Sequence, residues 1–196
     1  YFRIGSGESR WVDTVFGGCW PREVFDKVGR FNADLKRSQD MEFSLRLKAA
    51  GLKTLLAPDV RSDYFARTRP GAFLRHNFIN GEWAILPFVY SDVIPVSLRH
   101  LIPLIFASAI LFSLAVLPWS AVPLALVAVP YAIANLLASV HAAIVERSIL
   151  RLCQMPLVFF GLHFSYGLGS IAGVFEAAAV RLSQLRWKEK SCIPQP

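Results

Sequence analysis

The chain has 196 residues, is 54% hydrophobic and carries a net charge of +7. Its three cysteines, Cys19, Cys153 and Cys192, are too widely spaced for a metal or disulfide framework and point to a reducing, cytoplasmic side. Its Lys and Arg residues form no basic stripe and carry no stacking motif, which excludes a nucleic-acid groove; clustered near apolar runs, they suit anionic lipid headgroups.

Tyr1 to Arg10 has no apolar core and is not a signal peptide. Met41 and Met155 are the only methionines, so the chain is expected to begin inside a longer protein. Trp11 to Phe16 alternates as a strand does, and Gly17-Gly18 ends it in a loop where backbone can approach a ligand. A short helix follows, with Pro21 at its first position, an apolar face of Val24, Phe25 and Val28, and Gly29 as its stop. Arg30 to Leu35 is a turn-rich connector.

Ser38 is a good N-cap for a helix over Gln39–Ala50, with Gly51 as the terminating glycine. Asp40 falls in the first turn, where free N–H groups and the helix dipole favour an ionised carboxylate, as a base working near neutral pH requires. Glu42 and Arg46 are one turn apart and can pair. Phe43 and Leu47 share one apolar face, and Met41 and Leu45, with Leu52 nearby, another. Lys53 to Ala57 reads as a short strand stopped by Pro58, and Ser62 to Arg67 as another extended piece. Strand, helix, helix, strand is an α/β layer fragment. From Pro70 to Trp83 the pattern is again helical and amphipathic, with Phe78, Trp83, Phe88 and Tyr90 as the aromatics of an interfacial segment.

From Leu101 to Val145 there is no Asp, Glu, Lys or Arg. That is room for two membrane helices of about 20 residues each, with Pro118-Trp119-Ser120 and Pro123 turning the chain at the far interface. Leu152 to Phe175 is a third apolar run and contains Gly169-x-x-x-Gly173, a spacing that permits close helix packing. Arg147 and Arg151 precede it, and Arg181, Arg186, Lys188 and Lys190 follow, so basic residues claim the cytoplasm at both ends. The run is either re-entrant or interfacial, or a third span whose tail is translocated despite its charge; its length favours the span. His163 within it reads as an interhelical hydrogen-bonding group.

Taken together, Val12-Asp13-Thr14-Val15-Phe16-Gly17-Gly18-Cys19-Trp20-Pro21-Arg22-Glu23, Val28-Gly29-Arg30-Phe31-Asn32, Gln39-Asp40-Met41-Glu42-Phe43-Ser44-Leu45-Arg46-Leu47, Tyr64-Phe65-Ala66-Arg67 and Leu74-Arg75-His76 through Gly81-Glu82-Trp83 resemble the C-terminal half of the catalytic domain of membrane-bound family 2 glycosyltransferases, the succinoglycan exopolysaccharide type called ExoA-like. The likeness extends over roughly the first 85 residues. It implies a GT-A-like α/β domain followed by transmembrane α-helices, in a cytoplasmic-membrane enzyme whose catalytic part faces the cytoplasm. The implied reaction is inverting transfer of a sugar from a nucleotide-diphosphate donor to a hydroxyl of a lipid-linked glycan acceptor. Asp40 would be the general base, with Glu42 and Arg46 as its supports. Gly17, Gly18, Cys19 and Arg22 would lie on the substrate side, as would Arg75, His76 and Trp83, although the arginine that related enzymes carry just before the tryptophan is Glu82 here. The family also implies Mg²⁺ or Mn²⁺ held by an Asp-x-Asp. This chain contains none, so that motif and the donor half are expected upstream of Tyr1, and the chain alone is expected to be inactive. The expected organisation is a partial catalytic domain over 1–85, an interfacial linker over 86–100, a membrane region over 101–180 with two or three helices, and a basic tail over 181–196. The competing readings are a non-catalytic multi-pass scaffold or transporter partner, and a degenerate transferase fragment.

Overall fold

A computed structural model describes residues 8–13, 17–59, 69–94 and 98–191. It divides into two units, residues 1–66 with 87–95, and residues 67–86 with 96–196.

In the first unit, strand β1 (Arg10–Val12) pairs antiparallel with β2 (Thr54–Leu56), Trp11 lying opposite Leu55. Helices α1 (Arg22–Val28) and α2 (Gln39–Ala49) lie between them in sequence, the strand, helix, helix, strand order that the periodicities suggest. Thr14–Phe16 and Ser62–Arg67, the remainder of the expected strands, lie outside the described residues, as does the Tyr64–Arg67 motif. Pro21 is the N-cap of α1, one position earlier than expected, and Gly29 closes the helix at φ 79° by donating its N–H to Phe25 O at 2.9 Å. The helix α4 (Pro87–Tyr90) belongs to this unit, and Asn32 Nδ2 donates to its Tyr90 carbonyl at 2.9 Å.

Helix α2 has the extent that its pattern suggests, but its start is built differently. Ser38 is left-handed (φ 61°) and its hydroxyl caps nothing; hydroxyl capping needs the extended backbone that this residue lacks. The other end is a Schellman motif. Gly51 at φ 75° donates to Lys48 O at 3.0 Å and Leu52 to Leu47 O at 2.9 Å, satisfying two terminal carbonyls. Four residues of α2 are buried, Glu42, Phe43, Ser44 and Leu47, so its inner face is half polar; Leu45, expected on an apolar face, is exposed. Phe43, fully buried, is worth about 2 kcal/mol on this account and anchors an aromatic cluster. Its ring centroid lies 5.4 Å from Phe25, 4.6 Å from Phe31 and 5.1 Å from Trp20, and Trp20 meets all three phenylalanines edge to face.

The second unit consists of α3 (Pro70–Ile85), a 3₁₀ turn (Leu98–Leu101), α5 (Ile102–Val116), α6 (Val122–Val145) and α7 (Ile149–Ser191). The charge-free run thus makes helices of 15 and 24 residues rather than two of about 20, because its first residue belongs to the 3₁₀ turn and its middle to the turn around Pro118-Trp119. At 1.5 Å per residue α5 is about 22 Å long, short of a hydrocarbon core of about 30 Å, whereas α6 reaches about 36 Å. Helices α6 and α7 are both long and apolar enough to cross a membrane. Leu152 to Phe175 is helical without a break, Pro156 included, and α7 continues to Ser191 through the basic residues. His163 Nδ1 and Tyr131 Oη are 3.1 Å apart and join α7 to α6, the interhelical bond read from the sequence.

Helix α3 runs parallel to α7 at backbone contact. A Cβ placed on Gly81 would lie 1.9 Å from Tyr166 O, one on Gly169 would lie 1.8 Å from Phe78 O, and one on Gly173 would lie 2.7 Å from Glu82 O. Ser170 Oγ donates to Gly81 O at 3.1 Å across the same seam. The small-residue spacing Gly169-x-x-x-Gly173 is therefore spent on α3. Gly169→Ala is expected to destabilise this unit by about 1–3 kcal/mol through forced separation of two backbones. Gly161→Ala is expected to be mild, since the atom its methyl would meet is the movable end of Leu74. Thermal unfolding of both variants in detergent micelles compares them directly.

Candidate functional site

Asp40 is exposed in the first turn of α2 and opens on a cleft of about 420 Å³ lined by Gly17, Gly18, Trp20, Phe31, Ser38, Gln39 and Asp40. The cleft brings the glycine loop after β1 against the start of α2. A second cleft, of about 540 Å³, shares Gly17, Gly18 and Trp20 and continues along Cys19, Pro21 and Val24 to Leu47, Lys53 and β2. The glycine loop thus forms a wall common to both. Gly17 is at φ 65°, a conformation in which a side chain would be strained, and a Cβ there would meet nothing within 4 Å, so the loop edge is open.

The start of α2 is held by bonds reaching outward from it. Glu42 Oε1 accepts from Arg46 Nε at 2.8 Å and Glu42 Oε2 from Arg46 Nη2 at 2.9 Å, a two-point pair with the carboxylate buried (side chain 4% exposed). The same guanidinium donates through Nη2 to Arg30 O at 2.8 Å and through Nη1 to Val28 O, and lies 5.1 Å from the Phe43 ring centroid. Arg46 therefore ties α2 to the end of α1 and to the connector. Gln39 Nε2 donates to Leu35 O, Ser44 Oγ to Asp40 O at 2.7 Å, and Lys27 Nζ to Ala50 O at 3.1 Å. Lys48 Nζ, 2.8 Å from Asp13 Oδ1, fastens the outer face; its hydrogen bond and charge hold the Asp13 carboxyl below its ordinary value.

Of the expected site residues, Gly17, Gly18 and Asp40 line one cleft, and Gly17, Gly18 and Cys19 the other. Glu42 and Arg46 line neither; positions two apart on a helix face different ways, so Asp40 looks outward and Glu42 inward. Arg22 is exposed at the start of α1 and lines neither cleft. Arg75, His76 and Trp83 are on α3, in the second unit, where Arg75 is exposed, His76 half-buried and Trp83 buried. Trp20 and Phe31 were overlooked by reasoning from motifs. The signal that could have found them is the concentration of aromatics at 20, 25, 31 and 43 in the charged half of the chain.

Among the described residues Asp40 is the single carboxylate of its cleft, and no three His, Cys, Asp or Glu side chains gather as a metal site. A hard divalent cation takes six or more oxygen ligands, of which the described lining of this cleft offers too few fixed ones, so the described residues do not fit the Mg²⁺ or Mn²⁺ that the resemblance implies. What the arrangement can do chemically is accept a proton at an exposed carboxylate beside an aromatic-walled cleft. A scan of protein-family models and searches of curated proteins and of solved structures find nothing that matches this chain.

Proposed function

We propose that this chain belongs to a membrane-associated inverting glycosyltransferase and supplies the acceptor-activating side of its active site. The observation that carries the reading is Asp40: an exposed carboxylate at the dipole-favoured start of a helix locked from behind by Glu42 and Arg46, facing a cleft walled by Gly17-Gly18. In the reaction, an acceptor hydroxyl in the cleft gives its proton to Asp40 as its oxygen bonds to the anomeric carbon of the donor sugar. The bond from that carbon to the diphosphate breaks on the opposite face, and the nucleoside diphosphate leaves with the electron pair. The locked helix holds the carboxylate in place through the attack, so that little reorganisation is needed when charge develops. Two helices long and apolar enough to cross a membrane accord with a multi-pass protein of the cytoplasmic membrane, its catalytic part on the cytoplasmic face, and with a lipid-linked acceptor.

Membranes from cells producing the full-length protein test the reading. Incubated with radiolabelled UDP- and GDP-sugars, they are expected to transfer label to a solvent-extractable lipid or glycan fraction above the level of membranes lacking the protein. Equal label in both would sink the proposal and favour the non-catalytic scaffold.

A further inference from the structure

We infer that the Asp40 cleft binds an uncharged pyranose of the acceptor glycan, with Trp20 and Phe31, whose planes cross at 72°, as two aromatic walls, one of which meets the face of its sugar ring. This rests on the glycosyltransferase reading and adds which face of the site takes which chemistry. Among the described residues no cation lines the cleft; its charged group is the Asp40 carboxylate, and its other polar groups are the Ser38 hydroxyl, the Gln39 amide and the backbone of the glycine loop. A diphosphate or a phosphorylated sugar would meet a negative charge with no cation among the described lining residues to offset it. The neighbouring cleft differs, because Lys53 lines it.

The two aromatic residues stand beside the polar groups of the cleft, and they are held in place. Trp20 is half-buried and stands edge to face against Phe25, Phe31 and Phe43, at 6.4, 5.9 and 5.1 Å, so its ring cannot turn without displacing the fully buried Phe43. Phe31 is 41% exposed at the outer end of that cluster. A pyranose has one face of axial C–H bonds and a rim of hydroxyls. Its C–H face matches a fixed aromatic surface, and its rim matches a carboxylate, an amide and a hydroxyl. A free anion offers no apolar face, and a lipid tail would leave the polar groups without partners. The volume, about 420 Å³, lies within the usual range of small-ligand clefts. A sugar so placed has its hydroxyl rim beside Asp40, as proton removal requires.

The test is saturation-transfer NMR on the full-length protein in detergent micelles, with a panel of neutral mono- and disaccharides (glucose, galactose, maltose, cellobiose, lactose) and with pyrophosphate as competitor. Ring C–H protons of at least one sugar are expected to receive saturation, pyrophosphate is expected not to displace it, and Trp20→Ala is expected to weaken binding roughly tenfold while Trp20→Phe stays within about threefold. Should Trp20→Ala fail to fold, Phe31→Ser, at an exposed position, is expected to show the same weakening. Absence of saturation across the panel, displacement by pyrophosphate, or unchanged binding in folded Trp20→Ala and Phe31→Ser would each overturn the inference. The two proposals fail separately. Sugar binding lost in Trp20→Ala without any transfer in membranes removes the transferase and leaves the platform; transfer whose acceptor KM is unmoved by Trp20→Ala removes the platform and leaves the transferase.

Discussion

If the proposed transfer takes place at this site, replacing Asp40 with asparagine is expected to lower it by about 100-fold or more, the usual contribution of a positioned general base, while leaving the protein folded. The substitution keeps the shape of the side chain and removes its proton affinity. Because Asp40 is exposed, the structural cost is limited to a favourable helix-dipole interaction, about 0.3–1 kcal/mol. Activity and stability therefore separate at this position. Asp40→Glu keeps the basic group but moves it outward by one methylene, and is expected to fall between wild type and Asp40→Asn. Asp26→Asn, at an exposed acid of α1 that lines neither cleft, is the control and is expected to transfer normally. Initial-rate transfer assays on membranes with matched protein levels, paired with thermal unfolding of the purified variants, make the comparison. If Asp40→Asn retains transfer within about tenfold, Asp40 is not the base.

Arg46→Met is the change expected to damage the first unit most, by about 3–5 kcal/mol, the cost of stranding one member of a buried ion pair. Three losses coincide. The Glu42 carboxylate, 4% exposed, loses both of its guanidinium bonds, and the carbonyls of Val28 and Arg30 lose the donor that ties α1 and the connector to α2. Arg46→Lys is expected to recover only part of this, because an ammonium cannot present the planar fork that serves Glu42 and two carbonyls together. Removing both charges in Arg46→Met/Glu42→Leu is expected to be milder than Arg46→Met alone, since nothing charged is left buried. Denaturant unfolding of the single and double variants decides the matter: a double variant as unstable as the single one would show that the carbonyl ties, rather than the stranded charge, carry the cost. A similar loss of transfer in folded Arg46→Lys, with Asp40 intact, would mark Arg46 as a positioning residue for Asp40.

The local parts of this protein were legible in its sequence for a simple reason. Helix α2 was readable because a run without breakers ends at Gly51, and its i, i+4 Glu42–Arg46 pair because helical geometry places those positions side by side. The stops at Gly29 and Gly51 follow from a backbone conformation that favours glycine, and both glycines have positive φ. The capping of α2 is not legible in the sequence, for the complementary reason. Serine before a helix suggests a hydroxyl cap, but the connector delivers Ser38 in a left-handed conformation, and no pattern around residue 38 announces that.

The sequence by itself determined the division into a charged half and an apolar half, the positions of α1, α2 and α3, the membrane-crossing length of α6 and α7 though not the shortness of α5, and Asp40 as the acid at a helix start. Each of these depends on residues within a few turns of one another, where period, charge and glycine placement act directly. Only the tertiary structure decided that Trp20 and Phe31 join Asp40 at one cleft, that Glu42 and Arg46 face away from it and lock α1 to α2, and that Gly81 and Gly169 bring the backbones of α3 and α7 into contact. Those outcomes depend on which distant surfaces fill each other's space. Close packing selects among many arrangements that the same local patterns would allow.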